Sequence, residues 1–71
     1  MTPAEIRVNG ESEPFAAPKT LEALLAEKTV DTGQRGIAVA LNGAVVPASN
    51  WPNARLSAGD RIEIVKPFGG G

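Results

Sequence analysis

The side chains that most often perform chemistry in proteins are either missing from this sequence or unassisted. Its 71 residues include no Cys and no His, so thiolate chemistry, disulfides and an imidazole base are excluded. Ser12, Ser49 and Ser57 therefore have no histidine to activate them. The eight acidic residues are scattered along the chain and do not form the cluster that a carboxylate metal site needs. We predict no catalytic side chain, no bound metal and no cofactor.

One reactive group remains, the carboxylate of Gly71, which follows Gly69 and Gly70. A terminal carboxyl group has a reference pKa of about 3.3–3.7 and is ionised at neutral pH. The residues beyond Lys66 can reach about 16–18 Å from the folded body. Because glycine has no side chain, this backbone can enter a slot too narrow for any other residue. The glycines are either a frayed end without a role or a device that delivers the carboxylate to another protein.

The elements that must position this tail begin with two short strands. Residues Glu5–Val8 alternate polar and apolar side chains, and Asn9-Gly10 then forms a strong turn signal. Phe15–Ala17 is predicted to be the returning strand, with prolines at its margins.

One short helix is predicted next. Thr20 can cap a helix that runs from Leu21 to about Lys28. Leu21, Leu24 and Leu25 are spaced to form one apolar stripe facing a core. The segment 29–36 has no apolar periodicity and is predicted to be a loop.

The second half of the chain predicts further strands. Ile37–Leu41 and Val45–Pro47 flank Asn42-Gly43, a hairpin signal, and Arg61–Lys66 follows a turn at Gly59-Asp60. Trp51, between these segments, is predicted to belong to the core or to a lid over it, and contact with a partner is the alternative.

The order of these elements resembles the β-grasp, an α+β fold in which one helix covers one face of a mixed sheet of about five strands. Residues 1–66 would form this domain, and 67–71 a flexible glycine tail. The other face of the sheet is left open to solvent or to a partner. On the last strand, Val65 is predicted to lie on the face of the sheet opposite to that of Ile62 and Ile64. Val65 and Phe68 are the predicted partner-binding residues. The alternatives are that Val65 is an isolated apolar surface residue and that Phe68 folds back on the sheet.

Composition and charge narrow the class of partner. Seven basic and eight acidic residues give a net charge of −1, which is unlike the basic surface of a nucleic-acid binder. No apolar stretch is long enough to span a membrane, and the N-terminus lacks a signal-peptide pattern. We expect a cytoplasmic protein that is monomeric when free and binds neither nucleic acid nor membranes.

Several segments together resemble the ThiS family, the sulfur carriers of thiamin biosynthesis. Residues 38–51 read A-V-A-L-N-G-A-V-V-P-x-x-x-W, residues 56–64 read L-S-A-G-D-R-I-E-I, and the chain ends in Gly-Gly. Ile6–Gly10 and the leucine helix fit the same pattern, so the resemblance covers nearly the whole chain. Gly69 is a departure, because the family requires only the last two glycines.

The resemblance implies a protein cosubstrate and not an enzyme. A ThiF-like partner is expected to adenylate the carboxyl group of Gly71 with ATP. A sulfur nucleophile from a cysteine desulfurase relay then displaces AMP and leaves a thiocarboxylate. That group donates its sulfur in the site of a ThiG-like thiazole synthase.

Two alternatives share the same tail. One is a MoaD-like sulfur carrier for molybdopterin synthesis. The V-V-P-x-x-x-W element joined to G-D-x-I-E-I favours ThiS over it. The other is a ubiquitin-like modifier, whose terminal glycine becomes linked to lysines. A passive binding module of the same fold, with an inert tail, is a third and weaker possibility.

Overall fold

A computed structural model of the chain describes residues 4–28 and 36–66. Within these ranges it contains five strands, one α-helix and one turn of 3₁₀-helix. They are β1 (Glu5–Val8), β2 (Glu11–Pro14), α1 (Leu21–Glu27), β3 (Ala38–Leu41), β4 (Ala44–Val45), the 3₁₀ turn (Ala48–Asn50) and β5 (Arg61–Val65).

The five strands form one mixed sheet in the order β2-β1-β5-β3-β4. The first and last strands lie side by side and parallel near its centre, while all other neighbouring strands are antiparallel. Asn9-Gly10 joins β1 to β2, and Asn42-Gly43 joins β3 to β4. Both asparagines have φ 52°, and the glycines have φ 85° and 88°. Two-residue hairpin turns of this type need positive φ at both positions, which explains why Asn-Gly occurs twice.

The helix begins and ends as its sequence predicts. The Thr20 side chain accepts a hydrogen bond from the Ala23 amide at 3.2 Å, which satisfies a donor in the first turn. Lys19 precedes the helix and pairs with Glu27 at its end, with 2.6 Å between Nζ and Oε2. Lys28 pairs with Glu13 and so connects the end of the helix to β2.

One apolar core lies between the helix and one face of the sheet. The helix contributes its leucine stripe, which is almost completely buried, and the sheet contributes alternate residues from three strands. The buried core residues are Ile6, Val8, Leu21, Leu24, Leu25, Val39, Trp51, Leu56 and Ile62. Trp51 belongs to the core as predicted, and its indole Nε1 donates to the Val46 carbonyl at 2.9 Å. This is the packing expected of a short helix that would be unstable alone.

The connection between β4 and β5 holds the start of the helix. The amide of Leu21 donates to the Ala54 carbonyl at 2.7 Å, and the amide of Leu56 donates to the Lys19 carbonyl at 2.9 Å. Thr20 also forms an isolated bridge with Arg55. The helix is thereby tied to the second half of the chain by backbone hydrogen bonds as well as by apolar contacts.

The predicted return strand at Phe15–Ala17 is wrong. The strand β2 is Glu11–Pro14, because a two-residue turn at Asn9-Gly10 brings Glu11 directly opposite Val8. The apolar Phe15 suggested a strand, yet it follows β2 and packs partly buried against the core.

Other boundaries differ by a residue or more. Ile37 precedes β3, β4 is Ala44–Val45 where Val45–Pro47 was predicted, and β5 ends at Val65 and not at Lys66. Most of the predicted loop, residues 29–35, lies outside the described residues, as do residues 67–71.

The whole arrangement is a β-grasp: one helix covers one face of a mixed sheet whose central strand is the last. None of the helices in the described ranges is long and apolar enough to cross a membrane.

Candidate functional site

The face of the sheet away from the helix is open. Successive side chains of a strand point to opposite faces, so the residues next to each core position on β1 and β5 point outward. These are Glu5 and Arg7 on β1, and Arg61, Glu63 and Val65 on β5, all of them exposed. We call this surface the open face.

An apolar corner lies at one side of the open face. Val65 is 62% exposed, which confirms that it points away from the core, and Val45 on β4 is 74% exposed. Val45 lies opposite Ala40, and Val65 lies opposite Ala38. Two small alanines of β3 therefore separate two exposed valines. This set of four residues, the apolar corner, is a surface on which a partner could bury apolar area.

Val45 was not among the predicted partner-binding residues, although a physical signal for its exposure exists. In a strand, two neighbouring residues cannot face the same side of the sheet. Val46 packs partly buried against the core, so Val45 must face outward. The two-residue turn at Asn42-Gly43 sets the register that confirms this assignment.

Two arginines lie side by side at the other end of the open face. Arg7 and Arg61 are register partners in the parallel β1–β5 pair. Both are exposed, and neither forms a salt bridge with another of the described residues. Two shallow depressions of this face are each lined by both side chains. Neighbouring like charges do not stabilise a sheet, so support of the fold does not explain this pair. Each depression is also lined by a glutamate, Glu63 in one and Glu5 in the other.

The last strand carries the chain out of the domain beside the apolar corner. β5 lies between β1 and β3, and its final residue Val65 still pairs with Ala38. The exposed Lys66 follows. Because β3 still pairs with β5 at this last residue, the strand itself ends at a defined point of the sheet. Phe68 and Gly69–Gly71 lie outside the described residues, and their predicted roles stay predictions.

The ionisable and polar groups elsewhere serve local structure. Asp60 accepts a hydrogen bond from the Ser57 amide at 2.7 Å and another from the Asn42 side chain at 3.0 Å, as expected of a turn residue. The described residues contain no group of three or more acidic, His or Cys side chains that could hold a metal ion.

Comparison with known proteins agrees with this geometry. The family model described as ThiS family matches residues 6–71. The crystal structure of the thiamine biosynthesis protein ThiS from Geobacter metallireducens aligns with a TM-score of 0.77 and 25% identity, over 94% of this chain and 99% of that one. The solution structure of a thiamine biosynthesis protein from the same organism aligns with a TM-score of 0.79 and 26% identity, over 94% of this chain and 87% of that one.

A longer protein also contains a similar segment. The thiazole synthase of Paramagnetospirillum magneticum is 44% identical over 64 residues, which are 90% of this chain but only 19% of that relative. The match of the family model covers almost the entire sequence, including the glycines at its end. The chain belongs to the ThiS family, the small sulfur carriers of thiamin biosynthesis.

Proposed function

We propose that this chain carries sulfur as a thiocarboxylate on Gly71, with Gly70 and Gly69 as the backbone that enters partner sites. The observation that carries the proposal is the family match, which continues through residue 71. The composition supports it, because the sequence has no Cys on which sulfur could be held as a persulfide. The terminal carboxyl group is then the available carrier.

The chemistry begins with activation, because a free carboxylate is a poor electrophile. A ThiF-like adenylyltransferase joins the Gly71 carboxylate to the α-phosphate of ATP and releases pyrophosphate. AMP is a good leaving group, so the outer sulfur of a persulfide supplied by a cysteine desulfurase relay displaces it and forms an acyl disulfide. A thiol of the partner protein then reduces this S–S bond, which leaves the thiocarboxylate on Gly71 and a disulfide between the thiol and the donor cysteine. One carboxyl oxygen leaves with AMP, and sulfur takes its place. ATP is a substrate of the partner and not a cofactor of this chain.

The glycine tail cannot provide the binding energy by itself. Holding three glycines in one conformation costs about 3–6 kcal/mol of conformational entropy. Burying one valine side chain contributes about 1.5–3 kcal/mol. Burial of Val45 and Val65, the two exposed valines of the apolar corner, would offset that cost. Docking of the open face is therefore what makes insertion of the tail favourable, and Phe68 would add to the same contact.

The acceptor of the sulfur is proposed to be a ThiG-like thiazole synthase. The support is that the similar segment of the Paramagnetospirillum protein lies within a polypeptide described as a thiazole synthase. In the proposed cycle this cytoplasmic carrier, monomeric when free, docks first on the adenylating enzyme and then on the synthase.

Mass spectrometry tests the proposal. The carrier is incubated with its adenylating enzyme, ATP and a sulfur source, and its intact mass is measured. We expect a gain equal to the exchange of one oxygen for one sulfur. A chain lacking Gly71 is the matched control and should stay unmodified while remaining folded. An unchanged mass of the full chain, with an enzyme shown to be active, would contradict the proposal. Covalent conjugates of the chain with other proteins would indicate a ubiquitin-like modifier instead.

A further inference from the structure

Both Asn-Gly turns place an asparagine side chain against the last strand. The Asn42 side-chain oxygen accepts from the Arg61 amide at 2.9 Å, at the beginning of β5. The Asn9 side-chain oxygen accepts from the Ile64 amide at 2.8 Å, near its end. The two bonds are of the same kind, but they hold opposite ends of the strand that leads to the tail.

The bond from Asn9 continues the pairing between β1 and β5. The Arg7 amide donates to the Asp60 carbonyl and the Asn9 amide donates to the Ile62 carbonyl, each at 2.9 Å, as in a regular parallel ladder. The next bond of such a ladder would run from the Ile64 amide to the backbone carbonyl of Asn9. The chain has entered its turn there, and the side-chain oxygen of Asn9 accepts this bond instead.

The hydrogen bond from the Ile64 amide to the Asn9 side chain matters because it lies near the end of β5. The backbone pairing of β1 with β5 ends at Val8 and Ile62. Among the described residues, the Asn9 bond is the last one that holds β5 from the β1 side. Without it, Ile64 and Val65 are held from β3 alone, and the direction in which the chain leaves the sheet is less well defined.

We propose that Asn9 is a positioning residue for the reaction at Gly71. By holding the Ile64 amide, its side chain sets the direction in which β5 presents the tail to the adenylating enzyme. The inference rests on the proposed function. A docked carrier with a loosened strand end still binds, but its carboxylate occupies the reactive position for a smaller fraction of the time.

Two substitutions separate the hydrogen bond from the turn. Asn9→Gly keeps the positive φ and removes the acceptor, whereas Asn9→Asp keeps an acceptor oxygen at the same place. Asn42→Gly is the matched control, since it removes the equivalent bond at the other end of β5. The adenylation rate is measured as pyrophosphate release at several carrier concentrations, at a temperature where circular dichroism shows every variant folded.

We expect Asn9→Gly to lower kcat about two- to tenfold, the equivalent of one net hydrogen bond, with KM within about twofold of the unchanged chain. Asn9→Asp should restore kcat, and Asn42→Gly should retain it. Exchange of the Ile64 amide with solvent, followed by NMR, should be faster in Asn9→Gly than in the unchanged chain.

Three results would overturn the inference: an unchanged kcat in Asn9→Gly, an equal loss in Asn42→Gly, or an Ile64 amide that is unprotected in the unchanged chain. The last of these needs no variant, so the test survives if Asn9→Gly folds poorly. If the unchanged chain is not adenylated at all, the proposed function fails. If it is adenylated as fast as its Asn9→Gly variant, only this inference fails.

Discussion

The two faces of the sheet differ sharply, although their residues alternate along the same strands. On β5, Ile62 is 1% exposed and Val65 is 62% exposed. The covered face is packed against the leucines of the helix, while the open face carries two exposed valines and two exposed arginines that form no salt bridge with another described residue. This contrast separates stability from function: the covered face holds the fold together, and the open face, with the strand that leads to the tail, is available to partners.

The largest expected effect is on the covered face. Leu24 is 1% exposed on the helix, and replacing it by Ala should lower the free energy of unfolding by about 2–5 kcal/mol, because it leaves a cavity in a small core. Urea denaturation followed by circular dichroism measures this. Val45→Ala on the open face is the matched control and should cost less than about 0.5 kcal/mol. Equal losses at both positions would contradict the division between the faces.

A bulky residue in the tail should slow activation without lowering the stability of the fold. Gly70→Phe is expected to slow activation about 100-fold or more, because a side chain at this position prevents the carboxylate from reaching the reactive geometry. The urea midpoint should not change. The rate is measured as single-turnover formation of the acyl-adenylate. Phe68→Gly, compared with the unchanged chain, tests whether the partner site accepts a large side chain at position 68. A Gly70→Phe chain that reacts at the normal rate would show that no narrow slot receives the tail.

The apolar corner should affect binding more than stability. Val65→Thr keeps the β-branched shape of the side chain and adds a hydroxyl group, so strand propensity is retained. Loss of apolar burial on docking should raise the KM of the carrier about 5- to 10-fold. Val45→Thr should act in the same direction. A KM that stays constant in the double variant would remove the corner from the docking surface.

The smallest effect is expected at the helix cap. Thr20→Ala removes the acceptor of the Ala23 amide and should cost about 1 kcal/mol of stability. Thr20→Ser keeps the hydroxyl group and is the control. Both variants should be activated normally at a temperature where they are folded. Slower activation of folded Thr20→Ala would indicate that the covered side also contributes to function.

The local features of the fold could be predicted because their causes are local. The spacing of Leu21, Leu24 and Leu25 predicted the helix and its buried side, and the two Asn-Gly pairs predicted the hairpin turns. The strand at Phe15–Ala17 was wrongly predicted because Phe15 is apolar. The two-residue turn at Asn9-Gly10 already requires Glu11 to pair with Val8.

The open face could be predicted only in part. Val65 follows from simple alternation along one strand. The arginine pair and the bond from Asn9 to Ile64 do not, because they depend on the parallel pairing of the first strand with the last, and 55 positions separate Asn9 from Ile64. No local pattern encodes that register, which is set by packing of the whole domain.

The central claim is that sulfur travels on the backbone terminus and on no side chain. The most direct measurement is a fragment spectrum of the carrier after the complete thiolation reaction. Locating the added mass is necessary, because oxidation of Met1 adds nearly the same mass as exchange of oxygen for sulfur. We predict that the shift is found in every fragment containing Gly71 and in no fragment that lacks it. A shift that requires ATP and the adenylating enzyme but lies anywhere else in the chain would contradict the account, whereas oxidation of Met1 requires neither.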